Sequence, residues 1–477
     1  MRSRIGSDRD PYGWSIGFVL AAGFALGLAA LPARGLSLET GLNFTGQSYR
    51  QNGYYFPPDT MGAVGRDHVV ELLNSGYAVY RKSDGVRVAS ASLDGFWNQA
   101  GVSGGGAFDP RVLYDSQTDR FYAVSLDSPD PVNPSGQIRV AASKGSDPML
   151  GWMGFAIDSD STHLTYTDFP TVGIDREGLY VNTLQMNVGT ETVVAIDVLV
   201  VPKHDLLSGT VANATLFERA PLSVVGFDSQ PVVDLDGGGL PHTMLSGLLT
   251  FLGQVQASAI EGTIHAPTLV GKGLIPVPAM PEPPDGQQPG PVRLDSRDSR
   301  FGSNIVLRGG AIWAVQSVET DAGRAGIRWF EFDAATNAVL QSGLITDPAL
   351  DFIFPSIAVN EHDEAVIGFT SSGSSQFASS YAVLGETADG TTRFGAPVLL
   401  RAGGGVWNIA NGRFGDYSAT VVDPEDSRTF WTFQEWVPSE NDWAVQITQL
   451  FVVPEPSTVL LLGTGLLGLA ATQCRRA

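Results

Sequence analysis

The chain has 477 residues and carries 50 Asp and Glu against 29 Lys and Arg, a formal net charge of −21 at pH 7. Contacts with a phosphate backbone need clustered Lys and Arg, so this charge disfavours nucleic-acid binding. A single Cys excludes a disulfide framework, and 43% hydrophobic content with a 17% charged fraction is typical of a folded chain. The composition therefore indicates an acidic, folded protein with no nucleic-acid partner.

The N-terminal segment predicts a secretory signal peptide over residues 1–35. Met1–Trp14 is polar and carries three Arg, and Ser15–Leu31 is apolar and uncharged. A basic region, an apolar region and then small residues are the parts of a signal peptide, which a signal peptidase would remove. Because the first region is long and contains two Asp, an uncleaved membrane anchor is the alternative. Both interpretations predict that the rest of the chain is exported.

Three features follow one another at the C-terminus. They are Val453-Pro454-Glu455-Pro456-Ser457, the uncharged run Thr458–Thr472, and the basic end Arg475-Arg476. This arrangement closely resembles the PEP-CTERM sorting signal of Gram-negative bacteria, which is also called an ice-binding-protein C-terminal segment. The resemblance implies recognition by an exosortase, which would cut near the motif and release or attach the protein outside the cell, often alongside the exopolysaccharide of a biofilm.

The uncharged run of this tail predicts a transmembrane helix over 458–472. It is shorter than the about 20 residues that cross a bilayer core, although the two terminal Arg would suit a cytoplasmic end. As part of a sorting signal, the helix would hold the protein transiently in the inner membrane before it reaches the cell surface or the medium. An ordinary C-terminal anchor helix is the alternative.

The body between these ends, Leu36–Val453, contains one repeating pattern. An entry that often contains Asp is followed by a short apolar strand, a turn and a second strand rich in aromatic or β-branched residues. Seven such entries occur, at Asp59, Asp109, Asp168, Asp228, Phe301, Phe354 and Asp416. Since a single core rarely grows beyond about 250–300 residues, the body must be two domains or a closed repeat architecture.

Further strand patterns between the entries predict four strands in each unit, which is typical of a propeller blade. In the first unit, Tyr77–Tyr80 and Val86–Ala91 complete a four-stranded meander. The seventh unit has only one further strand, Trp443–Phe451, so we expect Leu36–Thr45 to supply its outer strand and leave no open edge. The sequence thus predicts an all-β, seven-bladed β-propeller over 36–453, with an N-terminal signal helix and a C-terminal transmembrane helix. A pair of β-sandwiches is the alternative fold.

The segment Gly273–Pro291 interrupts this spacing. It is rich in Pro, so we expect a polyproline-like insertion that forms an exposed loop.

The start of the body resembles a bacterial family of secreted propeller-like proteins. The resemblance lies in Pro57-Pro58-Asp59-Thr60-Met61-Gly62-Ala63-Val64-Gly65 and in Asp109-Pro110 about 50 residues later. It covers roughly the first 130 residues of the body. It implies no established activity and no catalytic residues.

Local catalytic motifs are incomplete. Gly101-Val102-Ser103-Gly104-Gly105 has the letters of a nucleophile elbow, but no helical pattern follows the Ser. The six His show no paired spacing for zinc, and Asp234–Gly239 resembles a calcium loop without its remaining ligands, so a β-turn is the better interpretation. The catalytic residues and any metal ligands therefore stay unknown.

Five Asp residues form the candidate site. Each stands at the start of a predicted innermost strand: Asp59, Asp109, Asp168, Asp228 and Asp416. In a propeller these starts surround the central channel at one face, where converging carboxylates would bind Ca²⁺ or a sugar. Paired carboxylates are also what a glycosidase needs. The alternative is purely structural, with each Asp capping a tight turn.

The leading hypothesis is an exported, exosortase-sorted β-propeller that acts as a binding or structural module of the cell surface or exopolysaccharide matrix, with Ca²⁺ as the only cofactor considered. A glycan-active hydrolase or lyase that uses the Asp ring is the alternative. An ice-binding function rests only on the label of the tail, because the body lacks short regular Thr-rich repeats.

Overall fold

The computed structural model describes residues 35–128 and 136–454. The predicted signal peptide, the predicted helix over 458–472 and Glu455–Ser457 of the sorting motif lie outside these residues. Within the described ranges, no helix is long and apolar enough to cross a membrane.

The described chain is all-β, with short helices only in the connections. The helices are α1 (Leu93–Ala100), α2 (Lys203–Leu207) and α3 (Leu222–Val225), with 3₁₀ turns at Pro148–Leu150, Leu248–Leu252 and Ile409–Gly412. The strands are, in chain order, β1 (Leu36–Ser48), β2 (Met61–Val64), β3 (His68–Leu73), β4 (Gly76–Arg81), β5 (Arg87–Ala91), β6 (Ala107–Asp115), β7 (Arg120–Asp127), β8 (Gln137–Ser143), β9 (Trp152–Asp158), β10 (Thr165–Ile174), β11 (Gly178–Asn187), β12 (Val193–Pro202), β13 (Thr215–Ala220), β14 (Gln230–Asp234), β15 (His242–Ser246), β16 (Gln254–Thr263), β17 (Ala266–Pro276), β18 (Ile305–Arg308), β19 (Ala311–Glu319), β20 (Ala325–Asp333), β21 (Val339–Ile345), β22 (Leu350–Val359), β23 (Glu364–Gly373), β24 (Gln376–Ala388), β25 (Thr391–Phe394), β26 (Val398–Arg401), β27 (Ala419–Val422), β28 (Thr429–Ser439) and β29 (Asp442–Pro454).

These strands pair into antiparallel meanders, which we call strand groups. Separate sheets are formed by β2–β5, by β6–β9, by β22–β26 and by β27–β29 with β1. A twelve-stranded sheet contains three further groups, β10–β13, β14–β17 and β18–β21. Parallel pairing of β10 with β14, and of β14 with β18, joins these three at their first strands.

The two ends of the described chain meet in one strand group. Strand β1 pairs antiparallel with β29, with Leu36 opposite Pro454 and Ser48 opposite Ala444. This pairing confirms the prediction that Leu36–Thr45 supplies the outer strand of the last unit. It also ties the end of the body to its beginning, so no unpaired outer edge of β29 remains.

The first strands of the groups face one another around a common channel. They are in contact in the order β2, β6, β10, β14, β18, β22 and β27, and β27 in turn contacts β2. Radial repetition of antiparallel meanders around a channel is the architecture of a β-propeller. The described body is therefore a β-propeller, as the repeating pattern predicted.

The inner and middle strands are buried on both faces because each group packs between two others. Strand β12 reads Val193-Val-Ala-Ile-Asp-Val-Leu-Val-Val-Pro202, and all of its residues from Ala195 onward are buried. Such strands are apolar in continuous runs instead of alternating. Contacts between groups are close: a Cβ at Gly62 of β2 would collide with the ring of Phe433 of β28, so this position requires Gly.

The Pro-rich segment differs from the exposed loop that we expected. Its first residues, Gly273–Pro276, belong to β17, and several later residues are buried. Gln288 forms two hydrogen bonds with the backbone of Trp407: its Nε2 donates to the carbonyl oxygen at 2.6 Å, and its Oε1 accepts from the amide at 2.9 Å. The segment is held across the end of the propeller because it packs on other strand groups.

Candidate functional site

The predicted Asp residues converge at one mouth of the channel, where the first strands begin. A cavity of about 430 Å³ opens there, which we call the acidic cavity. Four of the five predicted residues line it: Asp59, Asp109, Asp168 and Asp416. The fifth, Asp228, is not part of the lining. Its Oδ2 lies 3.2 Å from Nε of Arg300, and Arg300 does line the cavity.

The rest of the lining is basic and aromatic. Three Arg point to the same space, Arg297, Arg300 and Arg413. Five aromatic residues complete much of the wall: Tyr55, Phe56, Phe108, Phe169 and Phe227. The cavity thus combines planar charged groups with aromatic rings.

A positive φ recurs where several of the first strands begin. Asp59, Asp109 and Asp228 have φ values of 48°, 49° and 58°, and Phe169 and Phe354 hold the equivalent conformation in other groups. In β6, β10 and β22 the pairing register with the second strand shifts at this point, which is the mark of a β-bulge. Asp tolerates positive φ better than most residues, so part of its recurrence has a structural cause.

Asn74 joins two of the acids. Its Nδ2 donates to Oδ2 of Asp59 at 2.5 Å, and its Oδ1 accepts from the amide of Asp109 at 2.6 Å. The other oxygen of Asp59, Oδ1, is buried and has no hydrogen-bond partner. Asn74 therefore sets the position of Asp59 beside Asp109.

These two acids are poised to hold a proton. Burial raises the pKa of Asp59 well above its usual value, and the charges of Asp416 and Asp109 raise it further. Burial, with the charges of Asp168 and Asp416, raises the pKa of Asp109 to about 7. Burial also raises the pKa of Asp168. Near neutral pH, the Asp59 and Asp109 pair thus retains a proton that ordinary carboxylates would have lost.

Asp416 has the opposite character. Its Oδ1 lies 2.7 Å from Nη2 of Arg413 and 2.9 Å from Nε of Arg297. Burial alone would raise its pKa, but Arg413, Arg297 and Arg300 outweigh burial and lower it. The pKa of Asp416 is therefore shifted in the direction opposite to the pKa values of Asp59 and Asp109.

Arg300 is held by two acids and by a ring. Its Nη2 lies 2.6 Å from Asp298, and its guanidinium carbon stands 4.3 Å from the ring centroid of Phe169. Burial raises the pKa of Asp228 to about 6, although Arg300 opposes that rise. Asp228 thus acts as a support for Arg300 below the cavity.

Two Arg and one Glu also contribute to the site, and the recurrence of Asp did not predict them. Arg297 and Arg300 follow the Pro-rich segment and reach the cavity only because that segment crosses the propeller end. Glu435 on β28 is buried beside Asp59, accepts from Oγ1 of Thr60 at 2.9 Å, and leaves its Oε2 without a partner. Burial raises the pKa of Glu435 to about 8. Glu435 was not singled out in the sequence analysis.

Arg111 of β6 blocks the channel beneath the acidic cavity. Its Nε donates to the carbonyl of Pro170 at 2.8 Å, and its Nη1 donates to the carbonyl of Gly302 at 2.8 Å. Its guanidinium carbon lies 3.4 Å from the ring centroid of Tyr417. One side chain of β6 thus contacts residues at the starts of three other strand groups.

A metal role has no added support from the geometry. Among residues 35–128 and 136–454, no group of three or more His, Cys, Asp or Glu is arranged to hold a metal ion. The calcium-like stretch is a turn: Oδ1 of Asp234 accepts from the amides of Asp236 at 2.8 Å and Gly237 at 3.1 Å. Calcium binding by the Asp ring stays a prediction.

The fold and site define a β-propeller with an acidic and aromatic cavity at one end of its channel. Residues 452–476 carry the PEP-CTERM protein-sorting motif, which confirms the resemblance of the tail. The motif implies export and surface sorting by an exosortase. It spans only the end of the chain, beginning in the last residues of β29. No curated protein matches the chain.

Solved structures resemble the chain only distantly. A bifunctional GH43-CE protein from Bacteroides eggerthii has 13% identity and a TM-score of 0.34, over 61% of this chain and 34% of that one. An endo-arabinase from Bacteroides thetaiotaomicron has 16% identity and a TM-score of 0.31, over 59% and 93% of the two chains. The hemagglutinin-neuraminidase ectodomain of parainfluenza virus 5 has 8% identity and a TM-score of 0.38, over 87% and 84%. The chain spans about a third of the first of these proteins, and the fold assignment rests on the strand pairing described above.

Proposed function

We propose that the protein is an exported, exosortase-sorted β-propeller of seven four-stranded blades that binds a neutral glycan of the cell surface or exopolysaccharide matrix in the acidic cavity. The sorting motif supports the location. The strand groups and the cyclic contact of their first strands support the blade count, with β1 completing the last blade.

The observation that carries the binding proposal is the composition of the acidic cavity. Sugar hydroxyls both donate and accept hydrogen bonds, so they suit a wall in which carboxylates and guanidinium groups alternate. Aromatic rings such as Phe227 and Tyr55 offer apolar faces against which a sugar ring packs. The volume of the acidic cavity lies within the range of small-ligand pockets.

The charge balance favours a neutral glycan over an acidic one. Each Arg of the cavity already faces a carboxylate: Arg297 and Arg413 face Asp416, and Arg300 faces Asp228. A ligand carboxylate would have to compete with these ion pairs and would meet the negative charges of the remaining acids.

The test is a thermal-shift screen of the purified protein against neutral and acidic bacterial polysaccharides. A ligand that binds the folded state raises Tm by mass action, so we expect a rise with a neutral polysaccharide. Asp168→Asn and Phe227→Ala should each remove that rise, whereas Asp321→Asn on the exposed surface should keep it. A rise that persists in both cavity variants, or no rise with any glycan, would contradict the proposal.

One observation favours a second candidate, a glycan hydrolase. Pairs of titratable groups whose surroundings separate their pKa values are the usual acid and base of such enzymes. Here Asp109, with its pKa raised to about 7, would donate the proton, and ionised Asp416 would be the partner carboxylate.

A reducing-end assay separates the two candidates. A hydrolase would release sugar with a rate that falls above about pH 7, where Asp109 loses its proton. Asp109→Asn would abolish release while the Tm rise with the glycan remains. A Tm rise without new reducing ends supports the binding protein alone.

A further inference from the structure

The opposite mouth of the channel holds a second cavity of about 350 Å³. Aliphatic side chains near the ends of six first strands form about half of its wall, and polar side chains form the rest; the aliphatic ones include Val64, Leu113, Val233, Val306, Ala358 and Val421. We call it the aliphatic cavity. Along β6 the chain passes from Asp109 at the acidic cavity, through Arg111, to Leu113 at the aliphatic cavity. Arg111 therefore stands between the two spaces.

The aliphatic cavity has the properties of a ligand site. Its volume lies within the range of about 300–1,000 Å³ that small-molecule pockets occupy. Removal of an apolar molecule from water into such a space gains roughly 25 cal/mol for each Å² buried. The aliphatic wall thus favours a ligand with an apolar body.

Charged side chains also line the aliphatic cavity, and the exposed ones stand at its entrance. Glu361, Asp423, Glu425 and Arg308 belong to the lining. Asp423 is neutralised by Nζ of Lys82 at 2.7 Å, and Arg308 approaches Asp236 at 3.8 Å. Among the described residues, neither Glu361 nor Glu425 forms an ion pair with Lys or Arg, and both are exposed.

The balance of the entrance is therefore negative. Two carboxylates lack a basic partner, whereas the one Arg already has an acid beside it. A positive head group is attracted to this entrance, and a negative one is repelled.

We propose that the aliphatic cavity binds a small amphiphilic cation, with its apolar body inside the ring of first strands and its ammonium group between Glu361 and Glu425. This site differs from the acidic cavity in position and chemistry. The inference does not depend on glycan binding.

The experiment uses the purified protein and three probes with the same eight-carbon chain: n-octylammonium, 1-octanol and octanoate. Isothermal titration calorimetry should give the tightest binding for octylammonium. Octanoate should bind at least about tenfold more weakly, since two carboxylates at an exposed entrance contribute roughly this much. Added salt should weaken octylammonium binding.

Two variants locate the site. Val421→Phe puts a ring into the cavity at a half-buried position and should reduce octylammonium affinity at least about tenfold, whereas the matched surface variant Val188→Phe should leave it unchanged. Glu361→Gln combined with Glu425→Gln should bring the affinity for octylammonium close to that for 1-octanol.

Three outcomes would overturn the proposal. The first is that octylammonium does not bind, and the second is that octanoate binds with equal affinity. The third is that Val421→Phe and Val188→Phe both leave the affinity for octylammonium unchanged. Because Val421 is half-buried, circular dichroism of Val421→Phe should match that of the native protein, and Val306→Phe offers a second way to fill the cavity if it does not.

Discussion

The two mouths of the channel are built from the same strands and have opposite chemistry. At the mouth where the first strands begin, β-bulges accompany the Asp side chains that line the acidic cavity, and three Arg are held among them. At the other mouth the same strands present aliphatic and polar side chains, and the carboxylates Glu361 and Glu425 are exposed at the entrance. Charge that is buried must be paired or protonated, whereas charge at a rim stays solvated. We therefore expect substitutions of the buried charges of the acidic cavity to be costly, and substitutions of the exposed Glu361 and Glu425 at the other mouth to be nearly neutral.

The largest effect should come from the side chain that separates the two mouths. Arg111→Met leaves the carbonyls of Pro170 and Gly302 buried without donors and removes the contact with Tyr417. We expect a loss of about 3–4 kcal/mol in the free energy of unfolding. Denaturant unfolding measures it. Arg401→Met, in which only an exposed contact with Trp436 is lost, should cost less than about 1 kcal/mol.

Asp416→Asn should have the next largest effect, because it leaves Arg413 and Arg297 beside a neutral amide. We expect a loss of about 2–3 kcal/mol in the free energy of unfolding. The pKa values of Asp59 and Asp109 should both fall, since the charge of Asp416 raises them. Carboxyl NMR titration measures the pKa values. A cost no greater than that of Asp84→Asn, an exposed partner of Arg81, would show that burial does not govern the acidic cavity.

Glu435→Gln should change the pH dependence of stability. Burial raises the pKa of this carboxyl from 4.5 to about 8, so the folded state prefers the protonated form. Its contribution to stability is complete below pH 4.5 and is lost as the pH rises through about 8. The Gln variant lacks this loss and should exceed the native protein in stability by roughly 1–3 kcal/mol at pH 8–9, with little difference at pH 4. Unfolding curves across this range that differ by a constant amount would contradict the assignment.

The smallest effect belongs to the entrance of the aliphatic cavity. Glu361→Gln together with Glu425→Gln should change the free energy of unfolding by less than about 0.5 kcal/mol at any pH between 5 and 8, because both carboxylates are solvated. Urea unfolding checks this. A cost comparable to that of Asp416→Asn would remove the contrast between the two mouths.

Much of the fold could be predicted from sequence because its signals are local. The strand Trp443–Phe451 appears as part of β29, and the predicted strand Tyr77–Tyr80 appears as part of β4. Alternation, turn residues and β-branched content are properties of neighbouring residues. Two first strands begin later than their predicted entries. The strand expected from Phe301 begins at Ile305, and Asp416 lies three residues before β27.

The candidate site divides in the same way. Four recurring Asp were found because each accompanies a repeat, and a closed ring of repeats must bring their starts together. Arg297 and Arg300 were missed, since nothing in a Pro-rich stretch indicates which part of the molecule it crosses. Glu435 and Arg111 were missed because a polar residue within a strand does not reveal whether it faces a neighbouring group or the channel.

By itself, the sequence determined the sorting signal of the protein, the all-β class and the recurrence of Asp at strand entries. The sorting motif and the alternation of residues along strands are patterns among neighbouring residues, so the sequence shows them without a folded structure. Only the tertiary structure decided which Asp hold protons, which Arg neutralise Asp416, and that Arg111 closes the channel between two unlike cavities. These properties depend on burial and on distances between residues that lie far apart in the chain, and both exist only after the ring of strand groups has closed.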